Sequence, residues 1–427
     1  MLLYQTMDKA TLETEYQKLK KEYEGYQAMK LSLNMARGKP SCDQLELTQD
    51  ILTVIAKPED CLGEDGTDCR NYGLLDGIPE AKRLFAEILS IRDDEVIVCG
   101  NSSLNIMYDT VMRCLLYGAG KGKTPWIRQG KIKFLCPVPG YDRHFSICES
   151  LGVYMINVPM TKDGPDMDVV ESLVANDPSI KGIWCVPKYS NPDGVTYSDE
   201  TVRRFAALSP AADDFRIFWD NAYLVHDLYD EADSVLNICE LVRGTKNENM
   251  VFEFFSTSKI SFPGAGVAVI ASSRSNIDHI KSAMTMQTIG FDKLNMLRHV
   301  RYFKNADGIR QHMKRHAELL RPKFEAVIEA FDRELKPLGI AHYTAPRGGY
   351  FISLDTMPGC ATRVFQLMKE AGVTMTNVGA TFPYGKDPED KNLRIAPSFP
   401  PLNEVKIATD VLVCAVKLAT VEKLLGE

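Results

Sequence analysis

The sequence contains no apolar run near the roughly 18 residues that a membrane-spanning helix needs, and its first residues lack the basic and apolar segments of a secretory signal. It also lacks a surplus of positive charge, because 50 Lys and Arg stand against 57 Asp and Glu, for a net charge of -7. A global basic field that would attract nucleic acid is therefore absent. We expect a soluble cytoplasmic protein that binds neither membranes nor nucleic acid.

Cysteines are present but lack the pattern of a disulfide framework or a metal site. Their number, 11, is odd, and no two of them have the CxxC spacing. Several, such as Cys99, Cys136 and Cys185, lie inside apolar runs, which is typical of buried free thiols. We therefore expect a reduced protein without a metal ion.

Two nucleotide-binding motifs are incomplete. Gly122-Lys123-Thr124 resembles the end of a P-loop, but Tyr117 occupies the position where the first glycine of that motif is required. Gly264-Ala265-Gly266 could begin a dinucleotide fingerprint, but the third glycine position is Val269, in a predicted strand. Both interpretations therefore fail.

Short apolar runs alternate with helical stretches from about residue 75 onward, which is typical of a mostly parallel sheet between helices. A chain of 427 residues exceeds one typical core, and after about residue 292 it becomes helix-rich. We predict a large α/β domain at 50–305 and a smaller α+β domain built from both chain ends, 1–49 and 306–427. The strands of the large domain are predicted at 96–98, 132–136, 153–158, 182–186, 216–219, 251–255 and 267–271.

A single lysine, Lys259, stands between the last two of these predicted strands. Burial lowers the pKa of an amine, and a neutral amine can attack a carbonyl group to form a Schiff base. Ser256 and Ser258 beside it supply hydroxyls that could hold an anion such as a phosphate. Taken alone, the stretch is equally compatible with an ordinary lysine at a loop tip.

Four further stretches place polar residues in or at the ends of predicted strands, and open α/β sheets bind ligands at the carboxyl ends of their strands. Ser102 and Ser103 begin a helix whose N–H groups and hydroxyls could bind a phosphate, although plain N-capping explains them equally well. Asn191 stands in a rigid proline-rich turn after the strand at 182–186, from where it could donate to a ligand oxygen.

Asp220 directly follows the strand at 216–219, where an unpaired carboxylate is costly and needs a cationic partner such as a protonated ring nitrogen. The alternative role for Asp220 is to cap the next turn. Tyr223, three residues further on, could donate to a phenolate oxygen. Arg394 lies in an otherwise apolar strand and invites a bidentate carboxylate partner, with an internal salt bridge as the alternative.

Together these residues resemble the ordered set of the pyridoxal 5'-phosphate (PLP) enzymes of fold type I, the aspartate aminotransferase superfamily, over nearly the whole chain. Additional motifs are similar to subgroup Ic of the aspartate aminotransferases, which is related to the catalytic domain of MocR-type regulators. These motifs are Arg37-Gly38-Lys39-Pro40, Asn71-Tyr72-Gly73, Pro137-Val138-Pro139-Gly140-Tyr141-Asp142-Arg143-His144 and Gln287-Thr288-Ile289-Gly290.

The resemblance implies that PLP is the cofactor and that Lys259 holds it as a Schiff base and then acts as general base and acid. It further implies that Asp220 pairs with the ring nitrogen, and that Asn191 and Tyr223 contact the phenolate oxygen. Tyr141 would stack on the ring. The implied phosphate contacts are Ser102, Ser103, Ser256, Ser258 and, lent by the neighbouring subunit of a homodimer, Tyr72.

For the substrate, the resemblance implies that Arg394 binds the α-carboxylate beside Asn191, and that Gly38 allows a close backbone approach. The residue that binds a distal carboxylate is not resolved by the sequence. The alternatives are Arg37, Arg143 and Lys293.

The sequence departs from the family pattern in one respect. Many members carry an arginine seven or eight residues after the lysine, where it contacts the phosphate. Gly266 and Val267 occupy these positions here, so another cation, or more hydroxyl and backbone donors, must balance the phosphate charge.

The implied function is transfer of the amino group of aspartate to 2-oxoglutarate by a ping-pong route in a homodimer. An aminotransferase for alanine or an aromatic amino acid and a C–S β-lyase are alternatives, because they share the cofactor machinery. A ligand-sensing regulator without turnover is a third alternative. It would need a DNA-binding domain, for which the short segment before Arg37 is too small.

Overall fold

Strands and helices alternate along most of the chain in the computed structural model, which describes residues 3–426. The strands in this range are β1 (Leu33–Asn34), β2 (Val96–Val98), β3 (Lys133–Val138), β4 (Tyr154–Thr161), β5 (Gly164–Pro165), β6 (Ile180–Cys185), β7 (Arg216–Asp220), β8 (Val251–Ser256), β9 (Ala268–Ala271), β10 (Ala341–Tyr343), β11 (Ile352–Thr356), β12 (Val373–Thr374) and β13 (Asn392–Ile395). The α-helices are α1 (Lys9–Ala28), α2 (Cys42–Glu46), α3 (Pro79–Leu89), α4 (Ser103–Tyr117), α5 (Asp142–Ser150), α6 (Met167–Asn176), α7 (Asp199–Ala206), α8 (Ile238–Val242), α9 (Arg274–Met284), α10 (Lys293–Phe303), α11 (Ala306–Glu334), α12 (Ala361–Glu370) and α13 (Leu402–Leu425).

A sheet of eight strands forms the centre of the longer part of the chain. Its order is β2-β9-β8-β7-β6-β3-β4-β5, with parallel pairing from β8 through to β4. Only β9 and β5 run against the other strands of this sheet. The predicted mostly parallel α/β sheet is confirmed. Because parallel strands end at the same edge, the residues that follow β3, β6, β7 and β8 meet there.

Apolar residues bury both faces of the central strands. Every residue of β6, β7 and β8 is buried, as expected for a sheet covered by helices on both sides. On one face Phe134, Trp184 and Phe218 pack with ring centroids 4.8–5.9 Å apart. Gly182 provides the room, because a Cβ there would lie 2.6 Å from Cζ of Phe134. This rigid core fixes the positions of the strand ends.

Both ends of the chain meet in a second body of structure. An antiparallel sheet of order β10-β11-β13 is joined by the parallel pair β1-β12, which links Leu33 to Val373. Helices α1 and α11 both pack on α13. These contacts support the predicted small domain at 1–49 and 306–427, although its boundaries, and those of the large domain at 50–305, stay a prediction. Within residues 3–426 no helix is both long and apolar enough to cross a bilayer.

Several strand boundaries differ from the sequence prediction. β3 continues to Val138 and β4 to Thr161, beyond the apolar runs that marked them. The apolar run from Tyr350 to Leu354 also predicts a strand, but β11 begins at Ile352, because Gly349 with a φ of 81° turns the chain just before it. The strands β1, β5, β10 and β12 were not predicted, since each has only two or three residues and, unlike β2, none is a continuous apolar run.

Candidate active site

Lys259 lies just past the end of β8, in a turn between the two bodies of the protein. Its Nζ stands 5.0 Å from the ring centroid of Tyr223 and 5.9 Å from that of Tyr350, both of which are buried. Burial lowers the pKa of the Lys259 amine, and the nearby Asp220 carboxylate opposes this shift. Lys259 is half-buried, and the direction of this pKa shift favours the predicted reactive amine over the solvated loop tip.

Asp220 ends β7 and is 2% exposed. Its Oδ2 lies 3.0 Å from Nε2 of His144, whereas its Oδ1 is buried without a hydrogen-bond partner among the described residues. A buried carboxylate oxygen without a donor is costly, so it is suited to a ligand N–H group. The alternative role of Asp220, capping of the next turn, would leave this oxygen unexplained.

His144 belongs to α5, which begins directly after Tyr141. Its imidazole stacks on Trp184 with centroids 4.3 Å apart and an interplanar angle of 8°, while the Tyr141 ring meets it edge-on at 4.9 Å. Burial and the nearby Asp220 raise the pKa of the Tyr141 phenol, and burial raises that of the Tyr223 phenol. Both phenols therefore stay protonated at neutral pH and can donate hydrogen bonds.

Hydroxyl groups from two loops converge beside Lys259. The Ser256 hydroxyl donates to Oγ of Ser258 at 3.1 Å, and Ser258 lies 3.5 Å from the carbonyl oxygen of Asn101, just before α4. Ser102 occupies the N-cap position of α4, yet its side chain makes no capping hydrogen bond. The capping alternative therefore does not account for Ser102. The next residue, Ser103, is the first residue of α4, so the predicted phosphate contacts of this chain surround one helix N-terminus.

The turn after Lys259 is held by neutral groups where an arginine was expected. The Asn295 side chain donates to the carbonyl oxygens of Ala265 and Gly266 at 3.0 and 2.7 Å. A Cβ at Gly266 would stand 3.1 Å from Oγ1 of Thr257, so the turn is tightly packed there. Val267 is 1% exposed and its backbone N–H donates to Oγ1 of Thr257 at 2.9 Å. An arginine at either position would have to displace this packing.

His299 lies beneath the same turn and does not supply the missing charge. Its Nε2 is 2.8 Å from Oγ of Ser261 and 3.2 Å from Oγ1 of Thr257, and its Nδ1 is 2.8 Å from the carbonyl oxygen of Asn295. Burial lowers the pKa of His299 to about 4, so the ring is neutral at physiological pH. His299 is therefore not the cation that balances a phosphate charge here, whereas Arg298 of the same helix donates from Nη2 to Oδ1 of Asn295 at 2.5 Å.

Arg394 lies in β13, is 8% exposed and faces the other side of the site. Its guanidinium stacks over the Phe351 ring at 4.9 Å, and its Nη1 lies 3.4 Å from Oδ1 of Asn191. The same Nη1 donates to Oδ1 of Asp142 at 2.6 Å. The internal salt bridge that the sequence left open as an alternative is therefore present.

Gly38 packs against the same Phe351 ring, because a Cβ at position 38 would lie 2.3 Å from Cζ of Phe351. The close approach that was predicted at Gly38 is thus an approach of its backbone to the Phe351 side chain. Of the distal-carboxylate alternatives, Arg37 and Arg143 are exposed, whereas Lys293 is buried and its Nζ donates to the carbonyl oxygen of Gly73 at 3.0 Å. The choice among these three residues stays open.

Tyr72 is 82% exposed and lines a cleft of about 450 Å³ together with Lys293. The structure does not bring Tyr72 together with the hydroxyls around Lys259 through any contact within the described chain. Its exposure is compatible with the prediction that Tyr72 contacts the phosphate in a neighbouring subunit.

The sequence did not indicate several residues around the site. No role had been assigned to Asp142 or His144, although both stand in the motif that contains Tyr141. No role had been assigned to Tyr350 either, yet its hydroxyl accepts from the Gln44 side chain at 2.8 Å. His226, whose pKa is lowered well below its usual range by burial and by Lys259, packs against Tyr223 and Tyr350. Apart from the contact of His226 with Tyr223, three residues before it, these contacts join distant segments, so no local pattern could have revealed them.

The arrangement fits PLP. A protonated ring nitrogen would satisfy the orphaned Oδ1 of Asp220, burial lowers the pKa of the Lys259 amine, and the N-terminus of α4 with four serine hydroxyls suits a phosphate. A buried arginine on the opposite side suits a carboxylate. These groups are the ones that PLP and an amino-acid substrate would need.

Comparison with known proteins gives a consistent result. Residues 7–427 match the model of the family described as aspartate amino-transferase. The chain is 46% identical over 425 residues to a putative aminotransferase of Mycolicibacterium smegmatis, covering 99% of each chain. It is 44% identical over 407 residues to an aspartate aminotransferase of Corynebacterium glutamicum, covering 95% of this chain and 94% of that protein.

A solved structure agrees with the fold. The crystal structure of an aspartate transaminase from Corynebacterium glutamicum superposes with a TM-score of 0.96 at 43% identity, covering 99% of both chains. Family model, relatives and structure all cover nearly the whole chain, so the similarity includes every segment of the site. The chain therefore belongs to the aspartate aminotransferase family, and it is a PLP-dependent aminotransferase of fold type I.

Proposed function

We propose that this enzyme transfers the amino group of aspartate to 2-oxoglutarate, giving oxaloacetate and glutamate by a ping-pong route. The observation that carries the proposal is one site holding a desolvated lysine, an orphaned aspartate oxygen and a buried arginine. The relatives named for aspartate, at 43–44% identity, support the choice of amino donor.

The bound cofactor supplies the electron sink that makes the substrate α-proton acidic. Lys259 would hold the cofactor and would move that proton as general base and acid, a role that the lowering of its pKa by burial favours. Oδ1 of Asp220 would hold a proton on the ring nitrogen, while His144 fixes the carboxylate through Oδ2. Asn191 and Tyr223 would donate to the phenolate oxygen, and Tyr141 would cover the ring.

Substrate recognition rests on Arg394, which binds the α-carboxylate common to all amino acids. Phe351 supports the guanidinium from one side, and Gly38 leaves room for that ring. Ser102, Ser103, Ser256 and Ser258, with the N-terminus of α4, would hold the phosphate of the cofactor. Selection of aspartate over other donors then depends on a cation for the distal carboxylate, with Arg37, Arg143 and Lys293 as candidates.

The active unit is a cytoplasmic homodimer of subgroup Ic in which Tyr72 reaches the phosphate in the neighbouring subunit. An exposed apolar patch supports an interface: Tyr72 and Met286 are each 82% exposed and Ile289 is 64% exposed. These segments adjoin, since a Cβ at Gly290 would lie 2.4 Å from the carbonyl oxygen of Gly73. All 11 cysteines are free thiols, in agreement with a reducing compartment.

The experiment is a panel of amino donors with 2-oxoglutarate as acceptor, assayed for glutamate. Aspartate should give the highest kcat/KM. A higher value for alanine or an aromatic amino acid would move the enzyme to that specificity, and release of a thiol, pyruvate and ammonia from an S-substituted cysteine would indicate a C–S lyase. If none of the amino donors gives glutamate, the proposal as a whole is contradicted.

A further inference from the structure

Arg216, the first residue of β7, is a buried cation that forms no ion pair with any described carboxylate. It is 3% exposed, the lowest value of any arginine or lysine in the described part of the chain. Of the two carboxylates just before it, Asp213 pairs with Lys123 at 2.7 Å. Asp214 pairs with Lys181 at 2.6 Å. Because a buried charge without a counter-charge is costly, Arg216 is suited to an anionic ligand.

The guanidinium of Arg216 is held in place by the backbone and still has N–H groups without a partner. Nη1 donates to the carbonyl oxygen of Phe215 at 2.8 Å, and Nη2 donates to that of Ala119. Nε is buried and has no hydrogen-bond partner among the described residues. An arginine carries five N–H donors, and these two contacts use two of them. The side chain is therefore fixed, and most of its donors are left for a ligand.

Arg216 lines a cavity of about 400 Å³, a size typical of sites for small metabolites. Lys121, Lys123 and Lys246 line the same cavity. Among the described lining residues the only carboxylate is that of Asp213. The lining thus has a surplus of three positive charges, which favours a ligand with more than one negative charge.

Two backbone segments at this cavity favour a phosphate group. Ser275 and Asn276, in the first turn of α9, line it, so the positive end of that helix dipole lies there. The loop after α4 packs on the guanidinium, since a Cβ at Gly120 would lie 3.0 Å from Nη2 of Arg216. This loop contains the incomplete P-loop motif Gly122-Lys123-Thr124. The motif follows a helix here, so it contributes positive charge to a cavity without forming a P-loop.

We propose that this cavity is a second ligand site, which binds a dianionic phosphate group, either free or carried by a small metabolite. Arg216 would bind the phosphate oxygens with its fork of donors, and the exposed Lys121 and Lys246 would balance the remaining charge. The site is separate from the candidate active site. Arg216 begins β7 and Asp220 ends it, and four steps along a strand span about 13 Å.

The test measures the binding of inorganic phosphate and of AMP to the holoenzyme by calorimetry at constant ionic strength. We expect at least one of them to bind, whereas adenosine, which lacks the phosphate, should not. Tighter binding of AMP than of inorganic phosphate would indicate a phosphorylated metabolite, and the reverse order would indicate free phosphate.

Variants of the lining residues test where the anion binds. In the double variant Lys121→Gln with Lys246→Gln, we expect the Kd of the bound anion to rise about threefold to tenfold. Arg216→Met should raise it more, by about 10-fold to 100-fold, because the donors of the guanidinium are lost. Lys406→Gln, an exposed lysine of α13, should leave the Kd unchanged.

Failure of both anions to bind the wild-type holoenzyme would overturn the proposal. An unchanged Kd in the double variant would overturn it as well, and this variant decides the matter even if Arg216→Met does not fold, because both lysines are exposed. Arg394→Ala distinguishes the cavity from the active site. Anion binding should persist in Arg394→Ala, and its loss there would place the anion in the active site and contradict the proposal.

Discussion

At the scale of single residues, the two carboxylate oxygens of Asp220 have different roles. Oδ2 lies beside His144, whose imidazole is fixed by stacking on Trp184, and Oδ1 is left for the cofactor. The carboxylate cannot rotate without losing the first contact, so the free oxygen points in a fixed direction. A rigid anion at this position favours the protonated ring nitrogen, which the electron sink requires.

Asp220→Asn tests whether the charge of Asp220 is needed at the ring nitrogen. The amide keeps the contact with His144 but removes the charge, so we expect kcat/KM for aspartate to fall at least about 100-fold, or roughly 2.7 kcal/mol in the activation barrier. Steady-state kinetics with aspartate and 2-oxoglutarate measure the change. Asp307→Asn, an exposed carboxylate in the first turn of α11, serves as the control. A loss below about threefold would show that the ring nitrogen does not depend on Asp220.

At the scale of elements, the parallel sheet was predictable from the sequence and the side-chain partners were not. Lys259 and Asp220 were predicted as site residues because each stands at or just after the end of an apolar strand, and parallel strands end at a common edge. Asp142 and Arg394 are 252 residues apart, and His144 and Asp220 are 76 apart. Pairs of this kind depend on how the bodies pack, which no local periodicity encodes.

The helices α10 and α11 place three neutral histidines under the turn that carries Lys259. Burial lowers the pKa of His299 and of His312 to about 4, and that of His316 to about 3. The unfolded chain therefore binds more protons than the folded protein from about pH 6.5 down to these values. Stability is fully present above pH 6.5 and is lost as the pH falls through this window.

His299→Gln should flatten this dependence. Between pH 7 and pH 5 one such histidine contributes a loss of about 2 kcal/mol in the free energy of unfolding, at about 1.4 kcal/mol per pH unit below pH 6.5. Between pH 7 and pH 5 the free energy of unfolding of the wild-type protein should thus fall by about 2 kcal/mol more than that of the variant, as measured by urea unfolding at both pH values. The remaining histidines contribute to both proteins and cancel. Equal losses would mean that His299 is protonated in the folded state.

At the scale of the whole molecule, the site lies where the central sheet meets the structure built from both chain ends. Asp220 ends β7 of the central sheet, Lys259 follows β8 of the same sheet, and Arg394 belongs to β13 of the smaller sheet. The residues predicted for the cofactor and the residue predicted for the carboxylate are thus carried by different sheets. The proposed dimer adds a third contribution, because Tyr72 is exposed and reaches no phosphate contact of its own chain.

Ile289→Asp tests the proposed dimer. A charge in a buried apolar interface is costly, so the variant should shift toward monomer in light scattering after gel filtration. Its affinity for PLP should fall as well, since Tyr72 would no longer reach the neighbouring phosphate. Ile127→Asp is a matched control, because Ile127 is also 64% exposed and does not belong to the patch. A wild-type monomer, or equal behaviour of the two variants, would contradict the assignment of the interface.

The central claim, ping-pong transfer from aspartate, is tested most directly by a half-reaction. Holoenzyme is mixed with an excess of aspartate in the absence of any 2-oxo acid, and the oxaloacetate formed is counted. The account predicts about one oxaloacetate per active site, with further formation only after 2-oxoglutarate is added, and none from Lys259→Ala. No oxaloacetate from the wild-type enzyme, or continued formation without an acceptor, would contradict it.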